Sequence, residues 1–311
     1  MKILVPAALR ETLEPGLPDG VEALWWRDMD EAARLIPQAK VAWLDLLTIR
    51  SIPPVVAKGA NLQWLSTMAA GVESLDLANF RARGITLTNG SGLNAAAVAD
   101  YAVLGVLAAA KRYDAVVRLA DRHEWTTTAP GSVELEGSRA LILGMGTIGA
   151  LIAKRLAAFD VAVTGVTRSG RDGTLGPDQW RERLGEYDWV ILGAPATGET
   201  QALIGAAELA AMKPTAWLVN IARGDLIDKA ALIAALKEGS IAGAFLDTVS
   251  PEPLPPEDPL WSAPNCLHSM HLSGRSQTGM IQRAARLFLD NLQAWCAGRP
   301  LRNVVDLSAG Y

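Results

Sequence analysis

Short apolar runs alternate with segments of helix length along nearly the whole chain. Five runs in its first part predict strands, at Ile3–Pro6, Val21–Trp25, Val41–Leu46, Leu62–Met68 and Ile85–Thr88. Short helices are predicted between them, at Met29–Ile36 and Ile52–Lys58. Strands separated by helix-length spacers are typical of βαβ units, so we expect a parallel sheet here.

Six further runs begin at Ala140, and several of them are almost continuously apolar. They read ALILG, VAVTGV, DWVILGAP, AWLVNIA, IAGAFLDT and NCLHSMHL. Continuous apolar runs are typical of parallel strands that are covered on both faces. The second series therefore predicts another sheet, again with helices on both sides.

Two longer helical patterns flank this second series. One runs from about Asn94 to Arg112 and is apolar almost all round, and the other runs from about Gly279 to Ala297. The later pattern has an apolar face made of Ile281, Ala285, Phe288, Leu292 and Trp295. Such a face predicts contact with a core or another subunit. Because this helix follows the second series, we expect it to pack back onto the first domain.

A glycine pattern follows the first strand of the second series. Gly144-Met-Gly-Thr-Ile-Gly149 comes directly after the predicted strand Ala140–Leu143. A helical pattern over Ile148–Phe159 and a strand over Val161–Val166 come next. This order is typical of a dinucleotide-binding Rossmann domain, and a tight turn without a ligand is the competing interpretation.

Each glycine of this loop has its own expected role. Gly144 permits the tight turn, Gly146 lets the backbone approach the pyrophosphate, and Gly149 lets the helix lie close to the strand. The amides of Thr147 and Ile148 would then point at the phosphates from the helix N-terminus.

The acid that usually lies about 20 residues after this loop is missing. The strand is followed instead by Thr167, Arg168, Ser169 and Arg171. A carboxylate there would repel a 2′-phosphate, whereas a guanidinium and a hydroxyl suit one. We therefore predict NADP(H) as the preferred cofactor, with NAD(H) possible. The alternative is that these are solvated loop residues and that Asp172 holds the ribose.

These patterns together predict an α/β protein with two doubly wound parallel-sheet domains. Residues 92–275 are expected to form the Rossmann domain, which binds the dinucleotide. It would be inserted in a flavodoxin-like substrate (catalytic) domain formed by residues 1–91 and 276–311.

Composition excludes several classes of partner. The 311 residues carry a net charge of −4, so the chain has no general attraction for nucleic acid or for anionic lipid. The apolar run Tyr101–Ala110 is too short to span a bilayer. Only Cys266 and Cys296 are present, so neither a disulfide framework nor a Cys-based metal site is expected. MKILVPAALRE is typical of a first strand rather than a signal peptide, and a cytoplasmic location is expected.

Three polar residues follow three strands of the second series. Arg223 comes after the strand Ala216–Ile221, Glu252 lies in the loop after Ile241–Leu246, and His271 lies at the end of the last strand. Ligands of open α/β sheets bind beyond the carboxyl ends of the strands, so we expect these side chains to converge on one crevice.

The motifs GMGTIG, NIARGDLID, LDTVSPEPLP and HLSG, in this order, resemble those of D-isomer-specific 2-hydroxyacid dehydrogenases. The resemblance covers nearly the whole chain. PLPPEDPLW and the ending VVDLSAGY look most like the family's NADPH-linked glyoxylate/hydroxypyruvate reductases. The resemblance implies reduction of a small 2-oxo acid to the D-2-hydroxy acid by NAD(P)H, and a homodimer.

The resemblance also implies residue roles. Arg223 would bind the substrate, Glu252 would be the carboxylate partner, and His271 would be the general acid/base. The carboxylate of Glu252 would favour a protonated His271 ring and fix its orientation. Asp247 would contact the nicotinamide carboxamide, and Asn94 would lie against the nicotinamide.

The segment STMAAGVESLD resembles the family's substrate loop, so the amides around Ala70, Gly71 and Val72 would hold the substrate carboxylate.

Three positions depart from the family pattern. The usual Pro before the histidine is Met270, a common Glu is Asp100, and the first acid of E-P-E-P is Ser250. None of these changes removes a catalytic group, although Met270 could alter how His271 is presented.

Two alternatives stay open. A nucleotide-sensing binding protein, like the family's corepressor relatives, could share the scaffold. So could a family dehydrogenase acting on phosphoglycerate, a bulkier 2-oxo acid, formate or phosphite. The pocket for the substrate side group is expected from the first domain and a partner subunit, with Trp43, Trp64 or Trp125 as candidates.

Overall fold

The computed structural model describes residues 1–46, 49–72, 74–171, 173–275 and 279–308. The chain divides into two compact units. Unit 1 consists of Met1–Asn94 and Ser276–Tyr311, and unit 2 of Ala95–Arg275. Unit 2 is therefore an insertion in the chain of unit 1.

The described residues form eleven strands and ten α-helices, together with short 3₁₀ helices. The strands are β1 Lys2–Pro6, β2 Glu22–Trp26, β3 Val41–Trp43, β4 Trp64–Ser66, β5 Thr86–Thr88, β6 Arg139–Leu143, β7 Ala162–Val166, β8 Trp189–Leu192, β9 Trp217–Asn220, β10 Gly243–Leu246 and β11 Cys266–His268. The α-helices are α1 Arg10–Leu13, α2 Met29–Leu35, α3 Pro53–Val56, α4 Leu77–Arg83, α5 Ala95–Lys111, α6 Tyr113–Asp121, α7 Thr147–Ala157, α8 Ala206–Ala211, α9 Lys229–Glu238 and α10 Met280–Cys296. The 3₁₀ helices are Ala7–Leu9, Glu14–Gly16, Ile36–Gln38, Ile49–Ser51, Arg181–Glu186, Gly224–Leu226 and Pro259–Ser262.

The sheet of unit 1 has the order β2-β1-β3-β4-β5, and its neighbouring strands pair in parallel. This is the flavodoxin-like order. Side chains alternate between its two faces: Leu4 joins one buried cluster, while Ile3 and Val5 join another. On the second face Phe288 of α10 stacks on Trp64, with 5.5 Å between the ring centroids.

The sheet of unit 2 has the order β11-β10-β9-β8-β6-β7, again with every pair parallel. Leu175 adds an isolated parallel bridge to Val166, next to β7. Leu141 and Leu143 point to one buried cluster and Ala140 and Ile142 to the other, so both faces are covered. The strand order reverses between β6 and β8, and this is the switch point at which such sheets bind ligands.

The predicted fold class, two α/β domains built on parallel sheets, is confirmed by these sheets. Several strands are shorter than the apolar runs predicted. The run Val41–Leu46 is a strand only to Trp43, and Leu62–Met68 only over Trp64–Ser66. Beyond these ends Leu44, Leu62 and Met68 are still buried in loops and Leu46 is half-buried, so the apolar pattern could not separate loop from strand.

The two long helices lie close to their predicted bounds. In the apolar face predicted for α10, Ala285, Phe288 and Leu292 are buried and Trp295 stacks on Trp64 at 5.7 Å, but Ile281 is 44% exposed. Ile281 lies in the first turn of α10, before the first buried position, so it is not part of the core of unit 1.

Among the described residues, no helix is both long and apolar enough to cross a membrane.

Candidate active site

The glycine loop lies at the switch point of unit 2. Gly144 has φ +108, a conformation that L side chains rarely adopt, and a Cβ there would meet the backbone of Gly193 and Ala194 after β8 at about 2.6 Å. A Cβ on Gly149 would collide with the carbonyl oxygen of Gly144. These two glycines are therefore required by the close approach of β6, α7 and β8.

Gly146 differs from the other two glycines. It is the N-cap of α7, with φ −76, and a Cβ there would meet no heavy atom within 4 Å. No side chain caps the helix, and within the described part of the chain the amides of Thr147 and Ile148 donate no hydrogen bond. The loop thus offers open space and free donors at a helix N-terminus, the arrangement that binds phosphate groups.

The turn after β7 is compact and polar. The Thr167 hydroxyl accepts a hydrogen bond from the Gly170 amide at 3.0 Å and lies 2.7 Å from the Thr174 hydroxyl. Arg168 projects from this turn and its Nη2 lies 3.6 Å from Oε2 of Glu199, with both side chains largely exposed. Ser169 and Arg171 are also exposed, and Asp172 lies outside the described residues.

Arg223 follows β9 in a loop that Asn220 organises. The Asn220 side chain donates to the Arg223 carbonyl at 2.8 Å and accepts from the Ala222 amide at 3.0 Å. The half-buried Arg223 guanidinium donates to the Ala222 carbonyl from Nη1 at 2.8 Å. A Cβ on the next residue, Gly224, would collide with the Val249 carbonyl group, so this loop packs directly on the loop after β10.

The loop after β10 brings Glu252 to His271. Nδ1 of His271 lies 2.7 Å from Oε2 of Glu252, and the other carboxylate oxygen accepts from the Val249 amide at 3.2 Å. The carboxylate therefore holds Nδ1 as the N–H donor, and Nε2 has no hydrogen-bond partner among the described residues. The side chains of His271 and Glu252 are 43% and 34% exposed, so solvent reaches the pair.

His271 was predicted at the end of the last strand, but β11 ends at His268 and His271 lies in the following turn. Met270 and His271 both have left-handed φ values, +53 and +56. A proline, which the family pattern has at Met270, could not adopt such a φ. The presentation of His271 here therefore differs from that expected of a Pro-His pair.

Asp247, at the end of β10, organises the same turn. Its Oδ1 accepts from the Ser269 hydroxyl at 2.7 Å and from the amides of Leu272 and Ser273 at 3.0 and 3.2 Å. The side chain is 1% exposed, and its Oδ2 has no hydrogen-bond partner among the described residues. A buried acceptor of this kind requires a donor, and the carboxamide N–H of a nicotinamide would supply one.

The residues of unit 2 thus fit a nicotinamide dinucleotide at two separate points. The glycine loop offers space and amide donors for the pyrophosphate, and Asp247 offers an unsatisfied acceptor for the carboxamide.

Unit 1 contains the predicted substrate loop directly after β4. Ala70 is exposed, Gly71 is half-buried and Val72 is 1% exposed. Among the described residues, none of these three amides donates a hydrogen bond. Asn94 ends the first segment of unit 1, and its buried Oδ1 has no described partner.

Two of the three predicted pocket tryptophans are core residues. Trp43 and Trp64 are 2% and 0% exposed and pack against Phe288, so they cannot line a pocket. The prediction was wrong because indole rings suit a core and a pocket equally well. Trp125, by contrast, is 95% exposed.

The two other histidines are placed differently from His271. Nε2 of His268 donates to the Leu260 carbonyl at 3.2 Å, its ring lies 5.0 Å from that of Trp261, and burial lowers its pKa. His123 is exposed at the end of α6.

Sequence reasoning missed two residues of the site. Ser269 fixes Asp247, and a serine directly after a strand end was the available signal. Glu199 pairs with Arg168, and no local pattern connects two residues so far apart in the chain.

The comparisons with known proteins agree with this geometry. The family described as D-isomer specific 2-hydroxyacid dehydrogenase, NAD binding domain, matches residues 103–273. A glyoxylate reductase from Thermofilum pendens is 35% identical over 284 residues, which cover 88% of this chain and 83% of that protein.

Two solved structures resemble the whole chain. A D-isomer specific 2-hydroxyacid dehydrogenase family protein from Aeromonas salmonicida has a TM-score of 0.88 at 28% identity, covering 98% of this chain and 99% of that one. An NADPH-dependent glyoxylate/hydroxypyruvate reductase from Sinorhizobium meliloti, in complex with NADP and malonate, has a TM-score of 0.78 at 28% identity, covering 99% and 97%. The glycine loop, the polar strand ends and these relatives lead to one conclusion: the chain belongs to the family of D-isomer-specific 2-hydroxyacid dehydrogenases, NAD(P)-dependent oxidoreductases that act on CH–OH groups.

Proposed function

We propose that this protein reduces a small 2-oxo acid of the glyoxylate or hydroxypyruvate type to the D-2-hydroxy acid. The observation that carries this proposal is the 2.7 Å contact between His271 and Glu252, in the same unit as a loop that fits a dinucleotide. The glyoxylate reductase from Thermofilum pendens and the reductase from Sinorhizobium meliloti support the substrate class.

A reduced nicotinamide, when bound, would supply a hydride to the carbonyl carbon. His271, protonated on both ring nitrogens, stabilises the developing charge on the oxygen and donates the Nε2 proton to it. Glu252 holds Nδ1 and fixes the orientation of the ring. In the oxidation direction neutral His271 accepts the proton from the hydroxyl.

Arg223 binds the substrate carboxylate in this proposal and polarises the carbonyl through its planar guanidinium. In unit 1, the amides of Ala70, Gly71 and Val72 bind the substrate carboxylate in this proposal. Asp247 and Asn94 serve the nicotinamide end of the dinucleotide in this proposal.

We propose NADPH as the preferred cofactor. The support is the exposed Arg168, with Ser169 and Arg171, at the end of β7, together with the NADP bound by the relative from Sinorhizobium meliloti. Arg168 also faces Glu199, whose charge opposes a 2′-phosphate. Arg168→Ala should raise the KM for NADPH about tenfold and leave that for NADH unchanged, whereas Glu199→Gln should lower the KM for NADPH. An unchanged NADPH/NADH preference in Arg168→Ala would refute this assignment.

We also propose a homodimer, supported by the surface of α6. Tyr113, Val116 and Val117 share one face of this helix and are 60%, 37% and 42% exposed. Contiguous exposed apolar side chains are typical of interaction sites. Sedimentation velocity over a range of concentrations should give twice the chain mass, and Val117→Glu should shift it toward the monomer. The predicted cytoplasmic location is tested by cell fractionation.

The proposed reaction is tested with a panel of 2-oxo acids, each assayed with NADH and NADPH. Glyoxylate and hydroxypyruvate should give the highest kcat/KM, and His271→Gln should lower kcat by two or more orders of magnitude with cofactor affinity kept. Binding of NADPH without turnover of any 2-oxo acid would indicate a nucleotide-sensing protein instead. Preference for a phosphorylated or bulkier acid would indicate another dehydrogenase of the family.

A further inference from the structure

A buried carboxylate lies beneath the predicted substrate loop of unit 1. Asp45 follows β3 and is 3% exposed. Its Oδ2 accepts from the Thr67 hydroxyl at 2.6 Å and from the amides of Met68 and Ala69 at 3.1 and 3.2 Å, and its Oδ1 lies 3.2 Å from the Met68 amide. Three donors of the segment after β4 therefore converge on one side chain.

The sheet order explains this convergence. β4 lies between β3 and β5, so the loops after these three parallel strands leave the same edge of the sheet side by side. Asp45 approaches the loop after β4 from the side of β3. From the side of β5, the Asn89 side chain donates to the Ala70 carbonyl at 2.8 Å, and the Gly90 amide donates to the Ala69 carbonyl at 2.8 Å.

Asp45 on one side, and Asn89 with Gly90 on the other, bind different atoms of the loop after β4. Asp45 binds N–H groups of Met68 and Ala69, whereas Asn89 and Gly90 bind carbonyl oxygens of the loop. The next three amides, of residues 70–72, have no acceptor among the described residues. The loop is therefore fixed just before the amides that the proposed function assigns to the substrate.

We propose that Asp45 is a positioning residue: by accepting hydrogen bonds from Thr67, Met68 and Ala69, it orients the following amides for the carboxylate of the substrate. This inference rests on the proposed function. Asp45 does not touch the substrate, and it acts through the backbone of the loop. Prearranged donors bind an anion without a further ordering cost. Loss of the hydrogen bonds to Asp45 should therefore appear as weaker substrate binding.

The direct test compares Asp45→Asn with Thr67→Val and Thr67→Ser. Asp45→Asn and Thr67→Val should raise the KM for the 2-oxo acid about tenfold, because each removes part of the network, while the KM for the cofactor changes by less than about twofold. Thr67→Ser keeps the hydroxyl and should restore the wild-type KM. A KM for the 2-oxo acid that stays at the wild-type value in Asp45→Asn would overturn the proposal.

Asn291 provides a matched control in the same unit. It is 1% exposed, and its side chain bonds both the amide and the carbonyl of Arg302, at 2.8 and 3.0 Å. Asn291→Ala removes a buried hydrogen-bonding side chain away from the loop and should lower Tm without the selective rise in KM. If it raises the KM as much as Asp45→Asn does at a matched loss of Tm, the role of Asp45 is only structural and the proposal fails.

Hydrogen exchange of the substrate-free protein separates this inference from the proposed function. Asp45→Asn should speed exchange of the Met68 and Ala69 amides about tenfold or more, with amides of β1 unchanged. If wild type reduces no 2-oxo acid, the proposed function fails, but the exchange still tests whether Asp45 orders the loop. Unchanged exchange at both amides would overturn the inference even in an active enzyme.

Discussion

Gly146→Ala should separate folding from cofactor binding. A Cβ at Gly146 meets no heavy atom within 4 Å, and its φ of −76 is open to any L residue. Replacing glycine at an N-cap costs about 0.5–1 kcal/mol of helix stability. The reduced freedom of the unfolded chain returns about 0.4–1 kcal/mol. The free energy of unfolding should therefore change by less than about 0.5 kcal/mol.

Cofactor binding should respond much more strongly. The added methyl would occupy the open side of the loop, where we expect the amides of α7 to face a pyrophosphate. Displacing the phosphate by about 1 Å weakens its charge-assisted hydrogen bonds, and we expect a loss of about 1.5–3 kcal/mol, or ten- to a hundredfold in Kd. Gly144→Ala is the contrasting variant, since φ +108 and contact with Gly193 should destabilise the fold itself.

The assay is quenching of protein fluorescence by NADH and NADPH, with urea unfolding followed in parallel. The expected result for Gly146→Ala is a raised Kd for both cofactors, an unchanged urea midpoint and an unchanged m-value. A wild-type Kd in a folded Gly146→Ala protein would refute the assignment of the pyrophosphate to this loop. A large loss of stability in Gly146→Ala would refute the conclusion that a Cβ fits at this position.

Three further outcomes are expected from unit 2. Arg223→Lys should lose about 2–4 kcal/mol of transition-state stabilisation, measured as kcat/KM for the 2-oxo acid, and near-normal efficiency would remove its proposed role. Glu252→Gln removes the carboxylate 2.7 Å from the His271 ring, so kcat for reduction of the 2-oxo acid should fall because the ring loses the partner that orients it, and a wild-type kcat would show that this contact does not serve catalysis. Burial lowers the pKa of His268 below 6.5, so its contribution to stability is present above that pH and lost as the pH falls through the lowered pKa. The stability of His268→Gln should therefore depend less on acid pH than that of wild type. Equal acid sensitivity of the two proteins would contradict this.

Burial raises the pKa of Asp45, so the pH dependence of its contribution to stability is opposite to that of His268. A carboxyl group with a raised pKa contributes stability below its unfolded value, near 3.8, and loses it as the pH rises through the folded value. Proteins retain such a group where it organises other polar groups, in this case three donors of one loop.

Local patterns predicted the elements that carry the chemistry. Apolar runs followed by polar residues marked the strand before Gly144, the helix after it, and the strand ends before Arg223 and Glu252. Strand limits were less well predicted, as at Val41–Trp43, because apolar residues beyond a strand can be buried in a loop.

The amino-acid sequence by itself determined the two parallel sheets and the edge of unit 2 on which Arg223, Glu252 and His271 lie. It could do so because hydrophobic periodicity is local and because the carboxyl ends of parallel strands always share an edge.

Only the tertiary structure decided which polar groups meet at these edges. The pairing of Asp45 with Thr67 joins residues 22 positions apart, and Arg168 and Glu199 are also distant in the chain. Hydrogen bonds and ion pairs of this kind depend on distances of a few tenths of an ångström, and these are fixed by packing of the sheets and loops rather than by any pattern along the chain.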